Sequence, residues 1–148
     1  MTKTKDSNNP ETLSFTSKVR VRFNETDPLG IVWHGHYIKY FEDGREAFGR
    51  AYGIDYLEIQ KNGFATPIVK FVCENKLPLR YGEVVTVQTV FINNPAAKMI
   101  FQYILFNQKN ELVCTGETIQ VFTDFEGNLM LNSPEFFMSW KKKMQLPH

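Results

Sequence analysis

Asp27 stands before a proline in the segment 24–36 (NETDPLGIVWHGH). Four residues later the chain enters the apolar knot Ile31-Val32-Trp33 and then a helical pattern. A carboxylate beside an apolar wall and a helix N-terminus can do acyl chemistry. It attacks an activated carbonyl itself or takes a proton from water. The unpaired N–H groups that begin the helix can hold the oxygen that turns negative. The residue also has an ordinary alternative, because aspartate before proline favours extended backbone and closes local turns. Spacing leaves both open.

His34-Gly35-His36 invites a metal reading, since alternate residues of an extended segment point the same way. A third ligand at a recognisable spacing is missing, so a metal site is not expected and no cofactor is implied. There are 3 histidines, and one of them is the last residue, His148. A Ser–His–Asp hydrolase would therefore have to use His34 or His36. The chain carries no G-x-S-x-G, no G-x-x-x-x-G-K-[ST], no G-x-G-x-x-G and no H-E-x-x-H. Its 2 cysteines, Cys73 and Cys114, lack C-x-x-C spacing, which fits a reducing compartment.

The elements that must position Asp27 follow from periodicity. Residues 1–13 form a polar arm expected to fray. Phe15 to Phe23 alternates, with Val19, Val21 and Phe23 on one side of a strand. From Tyr37 to Tyr52 the period is helical, with Tyr37, Phe41, Gly44, Phe48 and Ala51 in one stripe and Gly53 as the stop. Gly44 and Gly49 each cost this helix about 1 kcal/mol relative to alanine, which implies close approach to a sheet. A short helix is expected over 55–62, with Asp55 and Glu58 as a capping pair. Strands are expected over 66–77, 84–93, 98–107 and 112–124. A last helix opens at Ser133-Pro134-Glu135, capped by Ser133, with Lys141, Lys142 and Lys143 suiting its C-terminal end. One long helix against an antiparallel sheet is an α+β architecture. The division expected is arm 1–13, domain 14–131 and terminal helix 132–148.

The chain has 148 residues, of which 43% are hydrophobic and 22% charged, so one domain with a real core is expected. A net charge of +1 gives no global field for nucleic acid or an acidic membrane. No run approaches the roughly 18 apolar residues that span a bilayer, and the first 14 residues lack a secretory apolar stretch, so a soluble cytoplasmic protein is expected.

The stretch 27–37 (DPLGIVWHGHY) resembles the signature of the 4-hydroxybenzoyl-CoA thioesterase family of hot-dog proteins. Val21-Arg22-Phe23 ahead of it and Tyr40-Phe41-Glu42-x-x-Arg45 behind it are similar to the related YbgC-like acyl-CoA thioesterases, and Thr66-Pro67-Ile68-Val69 is similar to another recurring segment. The resemblance implies a single hot-dog domain, working as a dimer or tetramer with active sites between subunits. It implies thioester hydrolysis on an acyl-CoA or acyl-carrier substrate, with Asp27 as nucleophile or general base and the backbone N–H of His34 as oxyanion donor. Glu42 and Thr66 fall where the facing subunit contributes to the acyl pocket, and Trp33 and Tyr37 can line it. Some relatives carry a basic cluster for coenzyme A phosphates before the third main strand. Here that turn is Asn94-Pro95-Ala96-Ala97, and only Lys98 remains. Two other readings stay open: a non-catalytic acyl-thioester-binding module, and a hot-dog hydratase or dehydratase, which lacks its Asn-Pro-x-His segment here.

Overall fold

Alternation decides which side of each strand meets the core. In β4 (Val84–Ile92), Val85, Val87, Thr89 and Phe91 are buried, and in β5 (Lys98–Phe106) so are Met99, Phe101, Tyr103 and Leu105. The computed structural model describes residues 2–4 and 12–147, the first three by their backbone alone. Four further strands complete the sheet: β1 (Thr2–Thr4), β2 (Thr12–Arg20), β3 (Ile68–Asn75) and β6 (Leu112–Val121). Their order is β1-β2-β4-β5-β6-β3, antiparallel throughout. Helix α1 (Tyr37–Tyr52) lies on the buried face, and α2 (Tyr56–Lys61) and α3 (Glu135–Lys143) follow. This is the α+β hot-dog arrangement expected from the sequence.

The glycines of α1 set how closely helix and sheet approach. A Cβ on Gly44 would run into the hydroxyl of Thr89 and the side chain of Val87, and one on Gly49 would lie 2.8 Å from the Cα of Asp55. Across the interface Phe41 stacks on Tyr103 at 4.5 Å, and Gly116 of β6 leaves the room the Phe41 ring occupies. Phe48, Phe91, Phe101, Phe122 and Phe137 continue this core, each fully buried. Aromatic pairs in such edge and stacked contacts add about 0.5–1.5 kcal/mol each beyond area burial.

Several expectations need correction. β2 starts at Thr12 and ends at Arg20, because its partner β4 extends the ladder to Thr12↔Ile92 and the chain then turns out of the sheet. Leu13 is therefore core, and Phe23, expected inside, is 76% exposed. Of the polar arm, residues 1 and 5–11 lie outside the described residues, while Thr2–Thr4 pairs with β2. β3 begins at Ile68 rather than 66, and β6 ends at Val121 rather than 124. Asp55 does cap α2, accepting the Glu58 N–H at 2.9 Å. Ser133 does not cap α3; Pro134 holds that position, and its carbonyl accepts from Phe137 and Met138. Lys141 is buried rather than placed at a solvated helix end. Its Nζ donates to the Asn94 carbonyl at 2.8 Å and sits 4.7 Å from the centre of the Phe137 ring. Together with Trp140 Nε1 donating to the Tyr52 carbonyl, it fixes α3 against α1 and the β4–β5 turn. Among the described residues, no helix is long and apolar enough to cross a membrane.

Candidate active site

The Asp27 segment is a small hairpin standing between β2 and α1. Thr26 bridges Val32, the Asp27 N–H donates to the Ile31 carbonyl at 2.8 Å, and Gly30 turns the tip at φ 78°. On its far side, the Val32 N–H donates to Leu79 and Ile31 bridges Arg80. Those bonds make the segment rigid despite its irregular sequence. Asp27 as a residue is partly buried, and its Oδ1 accepts the Leu29 N–H at 2.8 Å in an exposed hydrogen bond. One carboxylate oxygen thus closes the turn, as the aspartate-before-proline reading expects. The other has no protein donor among the described residues.

The hairpin leads directly into a 3-10 turn (His34–His36) that continues as α1. The Trp33 N–H donates to the Glu25 carbonyl at 3.0 Å, and the His36 N–H to the Trp33 carbonyl at 2.9 Å. At a helix start the first N–H groups have no intrahelical acceptor. Here they are those of His34 and Gly35, neither of which meets a backbone acceptor among the described turn bonds. Trp33 is half exposed and folds back over Gly35, where a Cβ would run into its ring. The imidazoles of His34 and His36 lie 4.9 and 5.4 Å from the indole. Among the described residues no group of three or more His, Cys, Asp or Glu side chains is placed to hold a metal ion.

Behind this hairpin sits a charge cluster that sequence reasoning missed. Glu25 is 2% exposed. Its carboxylate accepts from the Arg22 N–H at 2.7 Å, from the Tyr40 hydroxyl at 2.9 Å and from Arg22 Nη1 at 3.3 Å. Burial, and then the hydrogen bond to that carboxylate, push the Tyr40 hydroxyl above the ordinary phenol range, so Tyr40 is the donor. Burial likewise pushes the neighbouring Asp43 carboxyl up, against the pull of Arg22.

A cavity of about 950 Å³ opens elsewhere, between α1, α2 and the end of β6. Ile54, Ile59, Met99 and Phe101 give it apolar walls, and Glu42, Arg45, Thr66 and Gln120 give it polar ones. Gln120 is 6% exposed, and its Nε2 donates to the Thr66 carbonyl at 2.8 Å and to the Thr66 hydroxyl at 3.1 Å. Arg45 Nη1 donates to the Tyr103 hydroxyl, which pairs with Thr118 at 2.6 Å. Of the residues singled out in the sequence, Glu42 and Thr66 line this cavity, whereas Asp27, Trp33, His34, Tyr37 and Lys98 are not among its walls. Tyr37 is 3% exposed and packs on Tyr40 inside the core. Lys98 opens β5 as an exposed side chain, opposite Val121. On one chain the acid beside the helix start and the amphipathic slot are thus separate features.

The model of the thioesterase-like superfamily matches residues 21–141. The chain belongs to the thioesterase-like superfamily. Among its relatives it is similar to the putative acyl-CoA thioesterase YneP of Bacillus subtilis, 30% identical over 123 residues that cover 83% of this chain and 89% of the relative. It is also similar to the acyl-CoA thioester hydrolase YbgC of Escherichia coli, 25% identical over 76% of this chain and 84% of that protein. The solved structure of the DHNA-CoA thioesterase from Staphylococcus aureus superposes with a TM-score of 0.81 and 25% identity, covering 89% of this chain and 91% of the other. Thioester hydrolysis is therefore the chemistry to be placed on this superfamily scaffold.

Proposed function

We propose that this protein is a cytoplasmic acyl-CoA thioesterase in which Asp27 and the His34 N–H act on the same carbonyl. The observation that carries the reading is the hydrogen-bonded hairpin. Thr26 and Asp27 pair with Val32 and Ile31, and Trp33 is bonded back to Glu25, so the acid and the helix start ride on one rigid unit. The Asp27 carboxylate adds to the thioester carbonyl carbon, or takes a proton from the water that does. The carbonyl oxygen becomes negative and is held by the His34 N–H. When the tetrahedral species collapses, the C–S bond breaks and the thiolate leaves. A thiol with pKa near 8.5 departs without a strong general acid, so no catalytic triad is required. Direct attack gives a mixed anhydride on Asp27, which water then opens to free acid.

The acyl group belongs in the amphipathic slot, with Glu42 and Thr66 on its polar side and Trp33 contributed from the hairpin side; Tyr37, buried against Tyr40, supports that side from the core instead of lining it. Because the slot and the hairpin are separate on one chain, we assign the complete site to a homo-oligomer, a dimer or a tetramer. β3 supports this: it is an edge strand on which Val69, Phe71 and Val72 are all exposed. An unpaired edge of that kind is a template for another strand. Lys98 is assigned to the phosphates of coenzyme A.

Thiol release from a panel of acyl-CoAs tests the reading, wild type against Asp27→Asn. Loss of turnover with the fold intact is expected, and undiminished release by Asp27→Asn ends the proposal. Co-refolding Asp27→Asn with Glu42→Ala tests the shared site. If each site draws on two subunits, random pairing restores about a quarter of the wild-type activity from two weak variants. If it does not, mixing restores nothing.

A further inference from the structure

Glu25 is a buried carboxylate that the reaction as written does not use, and it lies two residues before the acid that the reaction does use. Burying a charge is costly unless it is paired and hydrogen-bonded, and Glu25 is bonded in three directions. One oxygen takes the Arg22 N–H at 2.7 Å and the Tyr40 hydroxyl at 2.9 Å, and the other takes Arg22 Nη1 at 3.3 Å. Its backbone carbonyl takes the Trp33 N–H at 3.0 Å. These partners come from different places. Arg22 enters the hairpin, Trp33 ends it, and Tyr40 is a fully buried residue of α1.

We propose that Glu25 is a positioning residue that fixes the Asp27 carboxylate relative to the first N–H groups of α1. The inference rests on the reading of Asp27 and His34 given above. Among the described residues, the Glu25–Tyr40 bond is the side-chain hydrogen bond that runs directly from the hairpin to α1, beside the backbone that joins them at His34. Once it is lost, the acid could shift against the N–H groups without breaking any bond within the hairpin. A misplacement of about 1 Å at a reacting group costs on the order of 100-fold in rate. The groups facing this carboxylate are Arg22, Tyr40 and Asp43, and none of the three reaches the acyl slot.

Steady-state kinetics of Glu25→Gln, Tyr40→Phe, the double variant and Asp27→Asn, on an acyl-CoA that the wild type turns over, tests this, with thermal melting to confirm folding. Each single variant should lose roughly 10- to 100-fold in kcat while KM stays within about threefold. The double variant should fall no further than the weaker single one, because both remove the same bond. The acid limb of the kcat–pH profile should survive in Glu25→Gln, since that variant keeps the reacting acid. Wild-type kcat in a folded single variant, multiplying losses in the double, or disappearance of that limb overturns the proposal. Should Glu25→Gln fail to fold, Tyr40→Phe keeps the carboxylate and carries the same expectation. Activity retained by Asp27→Asn would instead overturn the reading of Asp27 itself. An inactive Asp27→Asn beside a fully active Glu25→Gln removes only the role of Glu25.

Discussion

Replacing Gly44 by alanine sets two effects of opposite sign against each other. In a helix interior alanine is better than glycine by about 1 kcal/mol. Against that gain, the new methyl would meet the Thr89 hydroxyl and the Val87 Cγ1 at distances real side chains do not tolerate. Both neighbours are β-branched and restricted at χ1, both are fully buried, and both sit on β4 with paired strands on either side. They cannot swing away, so α1 must lift from the sheet. Overpacking of this kind costs about 1–3 kcal/mol and more when the neighbours are fixed. The balance is a net loss of roughly 1–2 kcal/mol, or a Tm lower by roughly 3–8 °C for a chain of this length. Urea unfolding at one protomer concentration measures it for Gly44→Ala, Thr89→Ala and the double variant. The double variant should be less destabilised than the sum, by at least about 0.5 kcal/mol, because Thr89→Ala makes room. A Gly44→Ala protein more stable than wild type would show that propensity governs this position and that the helix does not lie as close as described.

Three other outcomes follow from groups described above. Burial pushes the Tyr37 hydroxyl up to about 12, so the folded chain keeps a proton that the unfolded chain releases near 10. That contribution is complete below pH 10 and is lost as pH climbs through the folded value, so the free energy of urea unfolding should fall more steeply for wild type than for Tyr37→Phe over this window, by up to roughly 2 kcal/mol. Equal slopes would refute it. Asp43 is also raised by burial, and its Oδ2 has no partner among the described residues. A raised carboxyl favours the fold while protonated and loses that contribution as pH rises through the folded value. Asp43→Asn should therefore gain about 0.5–1 kcal/mol at pH 7, and the gain should shrink toward pH 4. A gain independent of pH would refute the burial argument. Lys98→Ala should raise KM for acyl-CoA by roughly 5-fold or more, as expected for a lost charge-assisted contact, and leave KM unchanged for a short thioester without phosphates. Equal effects on the two substrates would remove Lys98 from phosphate binding.

What the sequence makes legible is whatever repeats locally. The 3.6-residue stripe from Tyr37 to Tyr52, closed by Gly53 in the left-handed region, gives α1 its observed ends. The alternation of 84–92 gives β4 its buried face. What stays hidden depends on partners far along the chain. β2 reaches back to Thr12 because β4 is there to pair with it. Phe23 breaks the parity of its strand because the backbone leaves the sheet at Arg20. Lys141 has the type and place of a helix-end cation, yet a carbonyl 47 residues away draws it inside. Asp27 was visible as an acid near a helix start, whereas Glu25 was not. Its value lies in a bond to Tyr40, 15 residues on, and a glutamate in a polar segment carries no mark of burial. Gln120 was missed for the same reason, since Thr66 is 54 residues from it.

The separation of the proposed oxyanion donor from the slot has a simple measure along the 3-10 turn and α1. Glu42 lies eight residues beyond His34, three of them in the 3-10 turn and five in α1, which at about 2.0 and 1.5 Å per residue is roughly 13 Å along the axis. A thioester carbonyl held by the His34 N–H would leave a small acyl group well short of the slot that Glu42 and Thr66 border. Either the acyl group is long enough to follow the helix, or the slot comes from another helix lying alongside. The second arrangement serves a short acyl group equally well, provided the partner helix lies antiparallel and offset so that its middle meets this helix start. Chain-length dependence therefore bears on the assembly itself. Turnover of two-carbon acyl groups at a rate comparable with long ones requires the slot to be supplied by a partner, whereas a sharp onset of activity only in long acyl chains would let one subunit work alone.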